Sequence, residues 1–403
     1  MALHVLCVGG EDHSLRIPFL NALKDRGFAV TAASTTDGAA FAKAGLDHRV
    51  YHFDRFHSRG GDLATIRQLA RHIAEVQPDI VQSFDTKPNI LTPFAARNCA
   101  PVVRTINGMG WVFSSASISA RTLRPIYCAL QRFASRWVSA TVFQNRDDKL
   151  YFEQRKLNGR SRSCLIRSSG IDVAAFERAR ACGPSALALR EQLNLGDAQI
   201  VVTISRLTKQ KGIPTLLKAA SIVREVRPNV RFLLVGPRES EGPFAVDQAE
   251  IDRLAPHVIA LGARTDVPAL LGLATLFVLP TEYREGIPRV LLEAGLAGLP
   301  IVTTSMPGCS DVVTDSWNGY LTPPHDPRAL ATRILELLDN PENAKSMGAR
   351  SIALVQREFH LDNVVTQYSD LYKQISSSRS ASGPTSSAHV GVNSLRQRRG
   401  EPE

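Results

Sequence analysis

Two glutamates eight positions apart, Glu285 and Glu293, flank Gly286 and Pro288 in the stretch "EYREGIPRVLLEAGLAGLPIVTTSMPG". Carboxylates bind hydroxyls. Pro288 suits the first position of a helix, where its missing N–H is no loss, and Gly298 before Leu299-Pro300 suits the stop. A helix is therefore expected over 288–297. Glu285 then lies in the loop after the apolar run "TLFVLP", and Glu293 lies in the second helical turn. The backbone N–H groups near Gly286, Ile287 and Arg289 would form a positive helix end suited to phosphate. Phosphates at the helix end and hydroxyls on the carboxylates specify a nucleotide-sugar.

The elements that position these groups follow from periodicity. Short apolar runs ("HVLCVGG", "AVTAAS", "DIVQSFD", "PVVRTING", "ATVFQN") alternate with helical patterns, and the alternation restarts at "QIVVTISRL". Repeated β-α order implies a parallel sheet with helices on both faces. At 403 residues the chain exceeds the size of one core, so the expected fold is α/β with two doubly wound, Rossmann-like domains facing a cleft. The boundaries are read as 1–178, 179–375 including a final helix, and a Ser/Gly/Pro-rich tail over 376–403 expected to be disordered.

Charge is concentrated. Residues 1–180 hold 25 Lys+Arg against 15 Asp+Glu, whereas 181–403 hold 23 against 23. Within residues 97–167 the count is 13 against 3. There, "ISARTLRPIYCALQRFASRW" places Leu123, Ile126, Tyr127, Leu130, Phe133 and Trp137 on one helical face, expected to pack on the core. Arg121, Arg124, Arg132 and Arg136 occupy the other, expected to face anionic lipid headgroups. No nucleic-acid module accompanies the basic stretch, so no nucleic-acid partner is expected.

Several classes are excluded. Neither "VGGEDHS" nor "VGPRESEG" supplies G-x-G-x-x-G, which argues against a dinucleotide oxidoreductase. The six cysteines are scattered without C-x-x-C, so neither a disulfide framework nor a zinc site is read. No uninterrupted apolar run reaches about 18 residues, and the N-terminus lacks a signal-peptide pattern, which gives a cytosolic expectation. His13 and His57 are expected on the surface or in loops.

The segment from "VIALGARTDVPALLGLATLFVLPTEYREGIPRVLLEAGLAGLPIVTT" into "MPGCSDVV" resembles the donor-binding core of the retaining glycosyltransferase family 4, whose arrangement of two Rossmann-like domains is called GT-B. Its E-x7-E signature is Glu285 and Glu293 here. The resemblance implies that Glu293 holds the ribose hydroxyls and Glu285 the transferred sugar, with the Gly286 and Ile287 amides near the donor. "TISRLTKQKGIPTLLKA" places Arg206 and Lys211 where the family cradles the diphosphate, and two cations there would neutralise the leaving group. Arg264 falls where the family lines the base pocket. In the first domain, Gly9 and Gly10 resemble its glycine loop, expected to bring backbone N–H groups to the phosphates. "DTKPNI" and "RTINGMGWVFSS" resemble a subgroup acting in bacterial surface-polysaccharide assembly, and "SSGIDVAAF" resembles the interdomain signature.

One departure concerns Asn107, which stands where many family members carry a histidine. Asparagine donates and accepts hydrogen bonds but does not titrate, so the departing phosphate oxygen is expected to take the acceptor's proton. No D-x-D occurs, so neither metal nor cofactor is expected. The resemblance implies transfer, with retention, from a UDP-sugar to a polyprenyl-diphosphate-linked saccharide at the inner face of a bacterial membrane. A non-transferring enzyme of this fold, such as a UDP-sugar 2-epimerase, or a basic membrane scaffold would share parts of the pattern.

Overall fold

The computed structural model describes residues 2–53, 61–97, 99–115 and 117–381. The first sheet contains β1 (His4–Val8), β2 (Ala29–Ser34), β3 (Asp47–Val50), β4 (Ile80–Phe84), β5 (Val102–Ile106), β6 (Val138–Phe143) and β7 (Arg162–Leu165). They run in the order β3-β2-β1-β4-β5-β6-β7, all parallel. The second sheet contains β8 (Gln199–Ile204), β9 (Val230–Val235), β10 (Val258–Gly262), β11 (Leu276–Leu279), β12 (Ile301–Thr304) and β13 (Gly319–Thr322). Its order is β10-β9-β8-β11-β12-β13, again parallel. The two doubly wound domains expected from the sequence are present.

The strands are apolar throughout because both faces are covered. Every residue of β4 and β5 is buried. Val5 and Cys7 of β1 join the core beneath the helix Ile17–Asp25, whereas Leu6 and Val8 point to the opposite face and join Leu69 and Ile73 of the helix Gly61–Val76. In the second sheet, Ile200 and Val202 face the helix Arg289–Leu296, and Val201 faces the helix Ile213–Val226.

Each sheet reverses its strand order once, at β1/β4 and at β8/β11. Ligands of open α/β sheets bind beyond the carboxyl ends of the strands at such a switch point. The four loops that matter are thereby fixed: those after β1, β4, β8 and β11.

Three expectations need correction. The last helix, Leu361–Ala381, packs on the first sheet rather than the second, with Val364, Val365, Tyr368 and Tyr372 in its core. The Tyr372 hydroxyl donates to Gln82 Oε1 at 2.9 Å, and the Tyr368 hydroxyl bonds Thr105 Oγ1 at 3.0 Å. This helix also includes residues 376–381, which composition assigned to the disordered tail; the rest of the tail lies outside the described residues. The second correction is the helix Ile118–Ala134. Its expected core face is largely open: Leu123, Ile126, Leu130 and Phe133 are exposed, and only Ala120, Tyr127, Gln131 and Ala134 are buried. The third is His13, which is fully buried under Phe41 and Phe84, with its Nε2 at 3.1 Å from the Cys7 carbonyl. Burial lowers its pKa to about 3, so it is neutral. His57 lies outside the described residues.

Candidate active site

The glutamate segment forms a loop after β11 and then the helix Arg289–Leu296, one residue shorter at each end than the spacing predicts, with Pro288 as the cap. Glu285 Oε1 accepts from Lys211 Nζ at 2.7 Å and from Thr281 Oγ1 at 3.0 Å, and both side chains are mostly buried. The backbone N–H groups of Gly286 and Ile287 have no hydrogen-bond acceptor among the described residues. They stand at the positive end of the helix, beside that ion pair. Glu293 accepts from Arg289 Nε at 3.0 Å. Burial raises its pKa, and Arg289 offsets this only in part.

The loop after β8 carries both expected cations. Lys211 meets Glu285, while Arg206 NH1 pairs with Glu241 at 3.1 Å. Glu241 was not singled out by its sequence position. Its carboxylate occupies the guanidinium that a diphosphate would take. Arg264 makes a two-pronged contact with Asp266, at 2.8 and 2.6 Å, which fixes it at the end of β10.

The first domain approaches the same loop closely. Gly108 has φ +102, and a Cβ there would lie 2.6 Å from the Glu285 carbonyl carbon, so only glycine fits. Asn145 Nδ2 donates to the Glu285 carbonyl at 3.0 Å, and the Gly110 N–H donates to the Arg284 carbonyl at 3.3 Å. The Arg284 N–H donates to Ser114 Oγ at 2.7 Å, and Arg284 NH2 reaches Asp148 Oδ1 at 2.9 Å. A Cβ on Gly286 would collide with Gln144. The loop bearing Glu285 is held from both domains.

The glycine loop is corrected. The Gly9 N–H donates to the Ala33 carbonyl at 2.9 Å, and the Gly10 N–H donates to Asp85 Oδ2 at 3.0 Å. Neither amide is free for phosphate. Gly9 is small because His13 packs against it. Asn107, at the end of β5, donates through Nδ2 to Asp85 Oδ1 at 3.1 Å.

Of the four arginines expected to face lipid, Arg121, Arg132 and Arg136 are exposed. Arg124 turns inward and donates to the carbonyls of Val112 and Ser115, each at 2.7 Å, which removes it from that face. Sequence reasoning also missed Asp85, Asn145, Asp148 and Arg284. Asp85 had a signal, since "DTKPNI" directly follows a strand at the switch point.

With the geometry established, comparison with known proteins decides the family. The profile described as Glycosyltransferase Family 4 matches residues 19–160, and that described as Glycosyl transferases group 1 matches residues 187–353. The chain belongs to glycosyltransferase family 4. This family 4 enzyme is 25% identical over 372 residues to the Campylobacter jejuni N,N'-diacetylbacillosaminyl-diphospho-undecaprenol alpha-1,3-N-acetylgalactosaminyltransferase, covering 91% of this chain and 96% of that one. It is 26% identical to the Escherichia coli UDP-Gal:alpha-D-GlcNAc-diphosphoundecaprenol alpha-1,3-galactosyltransferase, covering 77% and 79%. Its fold matches Anabaena HepE, solved in complex with UDP, with a TM-score of 0.75 at 20% identity over 93% of this chain and all of that one. The glycosyltransferase therefore has the GT-B fold, with E-x7-E and the Arg206/Lys211 loop at one switch point.

Proposed function

We propose that this glycosyltransferase moves a sugar, with retention, from a UDP-sugar to a polyprenyl-diphosphate-linked saccharide in bacterial exopolysaccharide, capsule or O-antigen synthesis. The observation that carries the reading is the Lys211–Glu285 pair beside the unpaired Gly286 and Ile287 amides at the β8/β11 switch point. In this reading the diphosphate takes the two amides, Lys211 and Arg206, displacing Glu241 from the latter. Glu293 accepts from the ribose hydroxyls and Glu285 from the transferred sugar, while Arg264 lies toward the base.

The acceptor hydroxyl attacks the anomeric carbon on the face from which UDP departs. The bond from that carbon to the phosphate oxygen breaks, and the same oxygen takes the hydroxyl proton. Arg206 and Lys211 stabilise the charge that develops on the diphosphate, a service a divalent ion performs elsewhere, so turnover proceeds without added metal. The close approach of Gly108 to the Glu285 loop supports a donor site shared by the two domains. The acceptor class is supported by the two relatives whose names carry diphospho-undecaprenol.

The same acceptor asks for a membrane surface. Among the described residues no helix is long and apolar enough to cross a membrane. The helix Ile118–Ala134 instead offers Ile118 at 81% and Ile126 at 55% exposure beside Arg121, Arg132 and Arg136, a face that suits shallow insertion among anionic lipids at the inner leaflet.

The test is titration of UDP into the wild type and Glu293→Ala without metal, followed by UDP release from UDP-sugars with and without polyprenyl-diphosphate saccharides. The expected result is UDP binding that weakens in the variant and UDP release that depends on the acceptor. A folded wild type that binds no nucleoside diphosphate would overturn the reading. Release without acceptor, with the sugar epimerised, would replace transfer by epimerisation.

A further inference from the structure

Asp85 follows β4 directly, at the switch point of the first sheet, and has φ +69, a left-handed backbone uncommon for any residue but glycine. Such conformations concentrate at functional positions. Its carboxylate gathers three donors from three elements: the Gly10 N–H at 3.0 Å on Oδ2, and Arg16 NH2 and Asn107 Nδ2, each at 3.1 Å, on Oδ1. Burial acts to raise its pKa, but Arg16, the Gly10 amide and Asn107 outweigh that and hold it below the usual range, so the group is ionised.

An ionised carboxylate offers about four lone-pair sites, and three are used here. The fourth belongs to Oδ2. The side chain remains 34% exposed, at the carboxyl end of the first sheet's strands. One residue separates it from the donor loop. Asn107 bonds Asp85 through its side chain, while its own carbonyl group lies 3.0 Å from where a Cβ on Gly286 would be. Asn107 thus links Asp85 to the Glu285–Gly286 loop.

We propose that Asp85 is an acceptor-binding residue: its Oδ2 accepts the hydrogen bond of the attacking saccharide hydroxyl and aims that oxygen at the sugar held over Glu285 and Gly286. It takes no proton: as the oxygen attacks, the hydroxyl's single proton leaves its hydrogen bond to Oδ2 and passes to the departing phosphate oxygen. Arg16 and Asn107 position the carboxylate, so Asn107 acts through Asp85 and not as a substitute imidazole. The inference rests on the transferase reading and adds the residue that holds the nucleophile.

Asp85→Asn and Asp85→Glu test it, assayed with a polyprenyl-diphosphate-linked N-acetylglucosamine as acceptor and the UDP-sugar that the wild type turns over. Asp85→Asn should bind UDP within about 3-fold of wild type while kcat/KM for the acceptor falls on the order of 100-fold. Asp85→Glu retains the charge but moves the oxygens by one methylene; it should raise acceptor KM with UDP affinity unchanged. A purely structural role would lower thermal stability and UDP affinity together, and that result in both variants overturns the proposal. Wild-type acceptor kinetics in either folded variant overturns it as well. Failure of the wild type to transfer to any polyprenyl-diphosphate saccharide would overturn the transferase reading and, with it, this role.

Discussion

Arg284 of the second domain reaches Asp148 of the first at 2.9 Å, and the Asp148 side chain is fully buried. Burial raises the Asp148 pKa, and Arg284 and Asn145 offset this in part. Removing one partner of a buried pair strands the other charge, at a cost of about 3–5 kcal/mol. Arg284→Ala should therefore melt well below the wild type. It should also free the Glu285 loop, lowering transfer by roughly 100-fold and, because the Gly286 and Ile287 amides move with that loop, weakening UDP binding as well. Calorimetric melting and UDP titration on one preparation check both parts.

Glu241 holds Arg206 in the ligand-free protein, and in the proposed reading a diphosphate must displace it. The pair is half open to solvent on the arginine side, where such contacts are worth up to about 1 kcal/mol. Glu241→Gln should tighten UDP binding by about 2- to 5-fold, the equivalent of that energy. A weaker binding constant in titration would show that Glu241 supports the site instead.

Glu293 gives a pH signature with two opposite slopes. Its folded pKa lies above the ordinary value of 4.5, so across that window the folded protein holds the proton more tightly than the unfolded chain. Ligand-free stability should fall as pH rises through the window. UDP affinity should rise over the same range, because only the carboxylate accepts from both ribose hydroxyls. Glu293→Gln should flatten both profiles, as melting and titration at several pH values would reveal.

Gly108→Ala places a methyl group 2.6 Å from the Glu285 carbonyl carbon, at a φ that alanine resists. The two domains can then no longer meet at this point. Steady-state kinetics should show kcat reduced by on the order of 100-fold, with a smaller change in UDP affinity.

Replacing Ile126 and Leu130 together by serine removes exposed apolar surface at residues that join none of the hydrophobic cores. Sedimentation with vesicles containing anionic lipid should show weakened binding. The triple change of Arg121, Arg132 and Arg136 to Gln should weaken it further and remove its salt dependence.

The fold and the β8/β11 side of the candidate site were legible because their signals are local. Strand runs, the Pro288 start and the Arg206/Lys211 spacing each act within a few residues of the chain. The Asp85 cluster was not, since its groups meet only in three dimensions: Asp85 collects Gly10, Arg16 and Asn107 from three separate elements. Periodicity also misjudged the helix Ile118–Ala134. An apolar face has the same spacing whether it meets a core or a membrane, and only the neighbouring elements determine which. The amides of Gly9 and Gly10 failed for a similar reason, because a glycine pair suits an open phosphate loop and a closed turn equally well.

The return of the last helix to the first sheet bears on how the protein comes to exist in the cell. The hydroxyls of Tyr368 and Tyr372 satisfy Thr105 and Gln82 inside the first core, and Ile171 pairs with His360 where the chain crosses back. The first of the two domains is thus completed by a segment synthesised only after the whole second domain. Until then its sheet exposes an apolar strip and leaves Gln82 Oε1 without its Tyr372 partner. Such a nascent chain favours chaperone binding during translation, and a premature stop just before residue 361 would leave both sheets translated but only the second with its core elements complete.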